Sequence, residues 1–263
     1  MFISTAEEMN PSKRNTMEDI CKAYETFDLV GPDWSLLGVY DGHGGRGIVD
    51  FLDDALETNI AQELKATDDD ASVLQRIERA FLITDIQSRK ANILCSGATV
   101  VVCLVERTAS HSTLYAANCG DARAVLSRNG KAKRLTHDHK AVDPIEVARI
   151  EAAGGFLIRN RVLGVLAVAR SLGDHSLKEF VIGQPYLFET VLDEKDDFVI
   201  IACDGLWDVI TDQDAVYLVR INFPRIKENN NEQKRLKAAQ MLIDKAMQRG
   251  SSDNITVIVA WFR

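Results

Sequence analysis

Asp41, Asp121, Asp204 and Asp253 each stand in a turn beside an apolar run, and Glu18 and Asp19 form an acidic pair near the N-terminus. The clearest case is Leu36-Leu37-Gly38-Val39-Tyr40-Asp41-Gly42-His43-Gly44-Gly45, an apolar run that stops at an acid, a glycine, a histidine and two more glycines. The run has the texture of a buried strand and the glycines that of a tight turn. A carboxylate at a strand end, on a backbone with little side-chain bulk, can meet a hard cation, and the Gly42 carbonyl can join it as an oxygen ligand. Taken alone, Asp-Gly is equally a hairpin signal, and a lone acid in a turn is more often a capping group. Recurrence of the device favours metal. Converging carboxylates repel one another unless a cation sits among them. An all-oxygen set without His or Cys suits Mg²⁺ or Mn²⁺ better than Zn²⁺. Two such ions about 4 Å apart can share a bridging water and make it a nucleophile near neutral pH, which suits in-line attack on phosphorus.

The elements that must position these acids are legible from periodicity. Ile48, Leu52, Ala55, Leu56, Ile60 and Leu64 keep a helical repeat and predict an amphipathic helix over 46–66. Asp68-Asp69-Asp70 reads as a solvated loop and N-cap, with a second helix over 71–91. Ala98–Val105 is rich in β-branched residues and predicts a strand. Leu114–Cys119 predicts the next strand, ending at Gly120-Asp121. Ala124–Leu126 is expected to pair back, with Asn129-Gly130 as a hairpin turn. Asp143-Pro144-Ile145-Glu146 carries the signals of a helix start, and Gly154-Gly155 those of its end.

Further on, Phe198–Cys203 is apolar on both alternating faces, so that strand must be covered on both sides. It ends in Asp204-Gly205. Thr211 opens another helix. Residues 227–233 read as an Asn-rich surface loop, 232–249 as a long helix, and Ile255–Phe262 as the last strand. Residues 1–13 are polar and expected to be poorly ordered. The fold class expected is α+β: two mostly antiparallel sheets packed together and covered outside by helices, in one domain spanning 1–263.

Composition narrows the function. The chain has 263 residues, 46% hydrophobic and 27% charged, which is ordinary globular texture. Its net charge of -8 argues against nucleic acid as the main partner. Five cysteines, odd in number and without a Cys-x-x-Cys pair, point to a reducing compartment, cytoplasmic or nuclear, rather than to a disulfide framework. The N-terminus lacks the basic and apolar regions of a signal peptide, Phe2 excludes N-myristoylation, and no apolar run approaches the ~20 residues that span a bilayer. No membrane partner is expected. Nothing in the sequence indicates an oligomeric state.

Read together, the motifs resemble the metal-dependent Ser/Thr protein phosphatases of the PP2C (PPM) family. The segments that carry the resemblance are Arg14-Asn15-Thr16-Met17-Glu18-Asp19, Val39–Gly45, Ser96-Gly97-Ala98-Thr99 and Asn118-Cys119-Gly120-Asp121-Ala122-Arg123. They continue with Asp138-His139-Lys140, Leu166–Asp174, Ala202-Cys203-Asp204-Gly205-Leu206-Trp207-Asp208 and Ser252-Asp253-Asn254-Ile255-Thr256. They run in family order from Arg14 to the end of the chain. The fold this implies is a four-layer αββα sandwich, with helix pairs outside the two sheets.

The resemblance also implies roles. Asp41 would bridge two Mg²⁺ or Mn²⁺ ions. Asp204 and Asp253 would complete the first, while the Gly42 carbonyl and Glu18 would serve the second, with Asp19 close by. Asp121, with Asp204 or Asp208 near, would help hold a weaker third ion. Arg14 would clasp the substrate phosphate through two charge-assisted hydrogen bonds. His43 would be the general acid for the leaving serine or threonine oxygen. Phosphorylated proteins would be the substrates.

Blander readings are expected elsewhere. His137-Asp138-His139 is read as a structural turn rather than a metal clip, Arg170 as an ion-pair partner, Trp207 as packing under the Asp204 turn, and Cys119 and Cys203 as buried thiols. Cys203 stands where the family more commonly has Ser, a change expected to be silent. The stretch from Gly173-Asp174 to Gln184-Pro185-Tyr186, a flap beside the site in the family, is short, as in plant-type members. The segment 154–161 lacks the Trp of hormone-regulated plant members, so control by that receptor is not expected. Two other functions stay open at this point: a catalytically inactive adaptor that keeps the fold, and a dinuclear-metal hydrolase of small phosphoesters.

Overall fold

β-Branched runs become strands and 3.6-residue repeats become helices across residues 1–67, 69–223 and 235–262, the residues that this computed structural model describes. Two antiparallel sheets result. The first runs β1 (Phe2–Glu8), β13 (Ile255–Trp261), β12 (Asp196–Ala202), β6 (Arg123–Arg128), β7 (Lys131–Arg134). The second runs β11 (Tyr186–Leu192), β5 (Ser112–Cys119), β4 (Gly97–Arg107), β3 (Trp34–His43), β2 (Asp19–Tyr24), and the short β10 (Leu172–Gly173) adds to β4. A separate two-stranded ribbon joins β8 (Leu157–Ile158) to β9 (Arg161–Val162).

The period-2 alternation of the strands decides what each sheet face buries. Leu36 and Tyr40 of β3, with Val100, Val102 and Leu104 of β4, pack against α1 (Gly47–Lys65) and α2 (Val73–Lys90) through Ile48, Leu52, Ile77 and Phe81. The alternate residues Leu37, Val39, Val101 and Cys103 meet Val199, Ile201, Ile258 and Ala260 of the other sheet. The outer face of that sheet, Phe198, Ile200, Val257 and Val259, is covered by α5 (Asp212–Asn222) and α6 (Ala238–Gln248) through Val216, Val219, Leu242 and Ile243. Three apolar interfaces stacked in this way make the four-layer αββα sandwich expected from the sequence. Among the described residues, no helix is long and apolar enough to cross a membrane.

Several local readings change. Residues 2–8 are not poorly ordered. They form β1, in register with β13 from Phe2↔Trp261 to Glu8↔Ile255, because Phe2 and Ala6 pack on the α5–α6 side of the core and Ile3 on the inter-sheet side. Ala124–Leu126 does not return on β5. Gly120, with φ +105°, turns the chain at the end of β5, and β6 pairs with β12 and β7 in the other sheet.

The second helix is capped by Ser72 in a capping box with Gln75, not by the acidic run. Asp69 instead pairs with Arg76 and Arg79, and Asp68 lies outside the described residues. The last helix is described over Ala238–Gln248 and is preceded by a turn at Leu236–Lys237. Positions 232–234 of the expected longer helix, and the expected loop at 227–233, lie outside the described residues.

α3 (Pro144–Ala152) starts as expected, with the Asp143 side chain accepting from the Ile145 and Glu146 N–H groups. α4 (Asp204–Trp207) follows β12 directly.

Candidate metal centre

Strand ends, not strand bodies, build the site. In the β2–β3 ladder Asp19 stands directly opposite Asp41. β12 ends at Ala202, paired with Val257 of β13, so Asp204 just after β12 and Asp253 just before β13 emerge at the same end of one sheet. Asp121 lies in the crossover between the sheets, after β5 and before β6. Five acids from five sequence segments thus meet at one end of the two sheets.

Gly42 must be a glycine for a steric reason. A Cβ there would lie 2.5 Å from the Glu18 carbonyl oxygen and 2.8 Å from Val49 Cγ1. The Gly42 N–H donates to that Glu18 carbonyl at 3.2 Å. Glu18 is fixed further by its own N–H, which donates to Asn254 Oδ1 at 2.9 Å, and by the Gly45 N–H, which donates to Glu18 Oε2 at 3.3 Å. Asn254 Nδ2 also donates to the carbonyls of Met9 and Thr16. This side chain ties the turn carrying Asp253 to the loop carrying Arg14 and Glu18. The sequence reading quoted Asn254 within a motif and gave it no task.

The electrostatics are those of a cation trap, a cluster of buried carboxylates with few counter-ions. Burial, with Asp19, Asp204, Asp121 and Asp253 around it, drives the Asp41 carboxyl well above the usual carboxylate range. Burial and the neighbouring Asp121, Asp253 and Asp208 do the same to Asp204. Burial pushes Asp19 up to about 6, and likewise Asp121 to about 6, where Lys140 opposes the shift. Lys140 Nζ lies 2.9 Å from Asp208 and 3.9 Å from Asp121. Asp19 Oδ2 is buried and, among the described residues, has no hydrogen-bond partner. A buried carboxylate oxygen without a partner is costly and rare in a native fold. An all-oxygen donor set with excess negative charge fits a hard divalent cation.

Cys203 intrudes on this set. One ligand atom each from Asp19, Asp41 and Cys203 lie within 4.8 Å of one another. Burial and the three surrounding acids push the thiol well above its ordinary value, which keeps it neutral. Its Sγ accepts from the Thr256 N–H at 3.2 Å and donates to the Asn254 carbonyl at 3.5 Å. It is a buried thiol filling space between strands, as expected.

The remaining expected site residues flank the acids. Arg14 pairs with Asp253 Oδ2, and its Nε donates to the Ser252 carbonyl at 3.2 Å. Its side chain is about half exposed. His43 Nε2 lies 2.7 Å from Asp174 Oδ2. Asp174 is a partner the sequence reading did not assign, although it closes a quoted motif.

The structural readings hold. His137 pairs with Asp143 at 2.8 Å, Asp138 clamps Arg123, and His139 Nδ1 accepts from the Gly120 N–H at 3.2 Å. Arg170 pairs with Glu146 at 2.6 Å. Trp207 Nε1 donates to the Ala202 carbonyl at 2.9 Å, beneath the Asp204 turn. Cys119 is a fully buried thiol.

A family model described as "Protein phosphatase 2C" matches residues 4–255. The chain is 38% identical to "Protein phosphatase 2C homolog 1" of Saccharomyces cerevisiae, covering 98% of this chain and 92% of that protein. It is 40% identical to the protein of the same description from Schizosaccharomyces pombe, covering 96% of this chain and 71% of the other. Among solved structures, one described as a C. elegans sex determining protein superposes with a TM-score of 0.87 at 26% identity, covering 99% of this chain and 64% of that one. A serine-threonine phosphatase 2C from Toxoplasma gondii superposes with a TM-score of 0.81 over 99% of this chain and 94% of that one; at 20% identity it speaks for the fold alone.

Proposed function

Because the chain belongs to the protein phosphatase 2C family, we propose that it is a metal-dependent protein serine/threonine phosphatase that cleaves phosphoserine and phosphothreonine with water as the nucleophile. The observation that carries the reading is the buried, unpartnered Asp19 Oδ2 beside Asp41, inside a ring of acids whose charges have too few counter-ions.

Mg²⁺ or Mn²⁺ would be held by Asp41 between two positions, by Asp204 and Asp253 at the first, and by the Gly42 carbonyl and Glu18 at the second, with Asp19 close by. Asp121 and Asp208 would contribute to a weaker third. The ions, when bound, supply the Lewis acidity that lets water act as a nucleophile near neutral pH. The chain supplies the rest. Arg14 turns its guanidinium to the phosphate oxygens, a planar fork matched to a tetrahedral oxyanion. Its exposed position at the rim supports this. His43 gives its proton to the serine or threonine oxygen as the P–O bond breaks, since an alkoxide is a poor leaving group. No covalent phosphoenzyme is needed. Phosphorylated proteins are the substrates proposed. The five cysteines are all free thiols, which supports a reducing cytosolic or nuclear setting.

The test is phosphate release from a phosphothreonine peptide while Mn²⁺ or Mg²⁺ is titrated in. Metal-dependent turnover that Asp204→Asn abolishes supports the reading. Turnover of small phosphoesters alone would make the chain a small-phosphoester hydrolase, and no turnover of either would leave an adaptor.

A further inference from the structure

We propose that Asp174 is a positioning residue for His43. It holds the imidazole by Nε2, which leaves Nδ1 as the nitrogen presented to the leaving oxygen of the phosphorylated residue. The inference rests on the phosphatase reading above and adds to it a group that touches neither metal nor substrate.

The contact joins residues 131 apart in sequence at 2.7 Å. Three strands converge to make it. His43 is paired with Gly97 in the β3–β4 ladder, and Gly173 is paired with the same Gly97 in the β10–β4 ladder. Gly97 lies directly beneath the contact: a Cβ there would fall 2.0 Å from Asp174 Oδ2 and 2.5 Å from His43 Nε2. The glycine clears the space in which the carboxylate reaches the ring. Asp174 itself takes a left-handed backbone, φ +47°, which Asp and Asn tolerate better than most residues. Its N–H donates to the Ser96 carbonyl at 3.0 Å.

The loop does not need this carboxylate to keep its shape. Gly173 N–H already donates to Asp85 Oδ1 at 2.8 Å, and Lys178 Nζ bridges Asp85 and the Ser171 carbonyl at 3.1 and 3.0 Å. The side-chain partners of Asp174 are Ser171 Oγ, at 2.5 Å, and His43. Both converge on Oδ2. Ser171 fixes the carboxylate, and the carboxylate fixes the ring. Asp174 is only 4% exposed, whereas the His43 side chain is 29% exposed. A carboxylate on one ring nitrogen sets the N–H there and the orientation of the other nitrogen. Among the described residues, no protein group bonds His43 Nδ1.

Leaving-group chemistry gives the test. A threonine alkoxide needs a proton to depart, whereas nitrophenolate does not. Asp174→Asn keeps the size and the left-handed backbone. It is expected to lower kcat on a phosphothreonine peptide by roughly 10- to 100-fold, less than the full ~10²–10⁴-fold of a general acid because the histidine itself remains. The loss on p-nitrophenyl phosphate is expected to be about 3-fold or less by the same argument. In the His43→Ala background, Asp174→Asn is expected to add no further loss on the peptide, because residues acting as a unit are non-additive. Equal losses on the two substrates, or losses that multiply in the double variant, would overturn the positioning role. A wild-type protein inactive on both substrates would overturn the phosphatase reading and this inference with it. A second readout does not use turnover. The proton that Nδ1 gives is the second one, carried by the imidazolium; long-range ¹H–¹⁵N spectra of the neutral ring, recorded at high pH, should show His43 as the Nε2–H tautomer in the wild type and as a mixture in Asp174→Ala. An unchanged tautomer in that variant counts against the proposal.

Discussion

Asp19 and Asp41 face one another across the β2–β3 ladder, and among the described residues no basic side chain is paired with either. In the metal-free protein this pair, with Asp204 and Asp121, stores electrostatic repulsion that depends on pH. Burial pushes Asp19 and Asp121 up to about 6 in the fold, from the ordinary carboxylate value of 3.8 in a solvated chain. Between those values the folded state binds more protons than the unfolded one, so stability falls as pH rises through the window and is fully present only below it. The effect is on the order of 3 kcal/mol per group at most. A bound divalent cation removes the penalty. The gap between Mn²⁺-loaded and chelator-treated melting temperatures should therefore widen from pH 5 to pH 7.5. His139, which burial lowers to about 4, acts with the opposite sign in both forms and cancels in the gap. A gap that stays constant or narrows across that range would show that the acids do not share a cation.

Asp204→Asn should separate stability from activity. The change replaces a carboxyl whose ionised form is disfavoured by burial and then by the neighbouring Asp121, Asp253 and Asp208, so the metal-free variant should melt higher than the metal-free wild type at pH 7.5. The stabilisation by Mn²⁺ should shrink, and turnover should fall by ~100-fold or more, the scale seen when a preorganised electrostatic group is removed from an active site. Wild-type turnover in the variant would sink the metal assignment.

Arg14 makes a different prediction. It is held at the rim by Asp253 and the Ser252 carbonyl, and an exposed pair of this kind contributes little to stability. Arg14→Ala should leave the melting temperature of the metal-free protein within about 2 °C, since ~0.5 kcal/mol is the scale of such a pair. It should raise KM for a phosphopeptide by about 10-fold or more, the value of one charge-assisted contact. A loss of Mn²⁺ affinity larger than the loss in KM would reassign Arg14 to the support of Asp253.

The acids were legible because each follows or precedes an apolar run, and strand ends gather wherever strands share a sheet. What the sequence could not give was the neighbour relations. Ala124–Leu126 looks like a returning hairpin strand because Gly120 is a turn signal, yet the inter-sheet core claims Ala124 and Leu126 and sends β6 to the other sheet. Residues 2–8 read as a polar tail because Ser4, Thr5, Glu7 and Glu8 dilute the apolar signal. Their alternation around Phe2, Ile3 and Ala6 was the available clue, and pairing with β13 is what orders them. Asp174 and Asn254 were hidden for another reason. Their partners, His43 and the Met9–Glu18 segment, lie 131 and more than 230 residues away, and no local spacing encodes such a contact.

The network under the Asp204 turn allows a stability test that uses neither metal nor substrate. Arg123 is 7% exposed. Its Nε donates to Asp138 Oδ1 at 3.0 Å, its Nη1 donates to Asp212 Oδ1 at 2.7 Å, and its guanidinium carbon lies 5.1 Å from the Trp207 ring centroid. Trp207 in turn hangs from the Ala202 carbonyl, so Arg123 links β6, α5 and the strand end that carries Asp204. Arg123→Ala leaves Asp138 and Asp212 with less positive charge in partly buried positions, although Arg134 still reaches Asp212 at 2.8 Å. Breaking one side of such a buried pair costs about 3–5 kcal/mol. Removing the second charge as well should restore part of this, so Arg123→Ala/Asp138→Asn should be more stable than Arg123→Ala alone. Chemical denaturation of the three proteins measures the coupling directly. If the double variant loses the sum of the two single losses, the pair is not coupled and the network does not brace the turn.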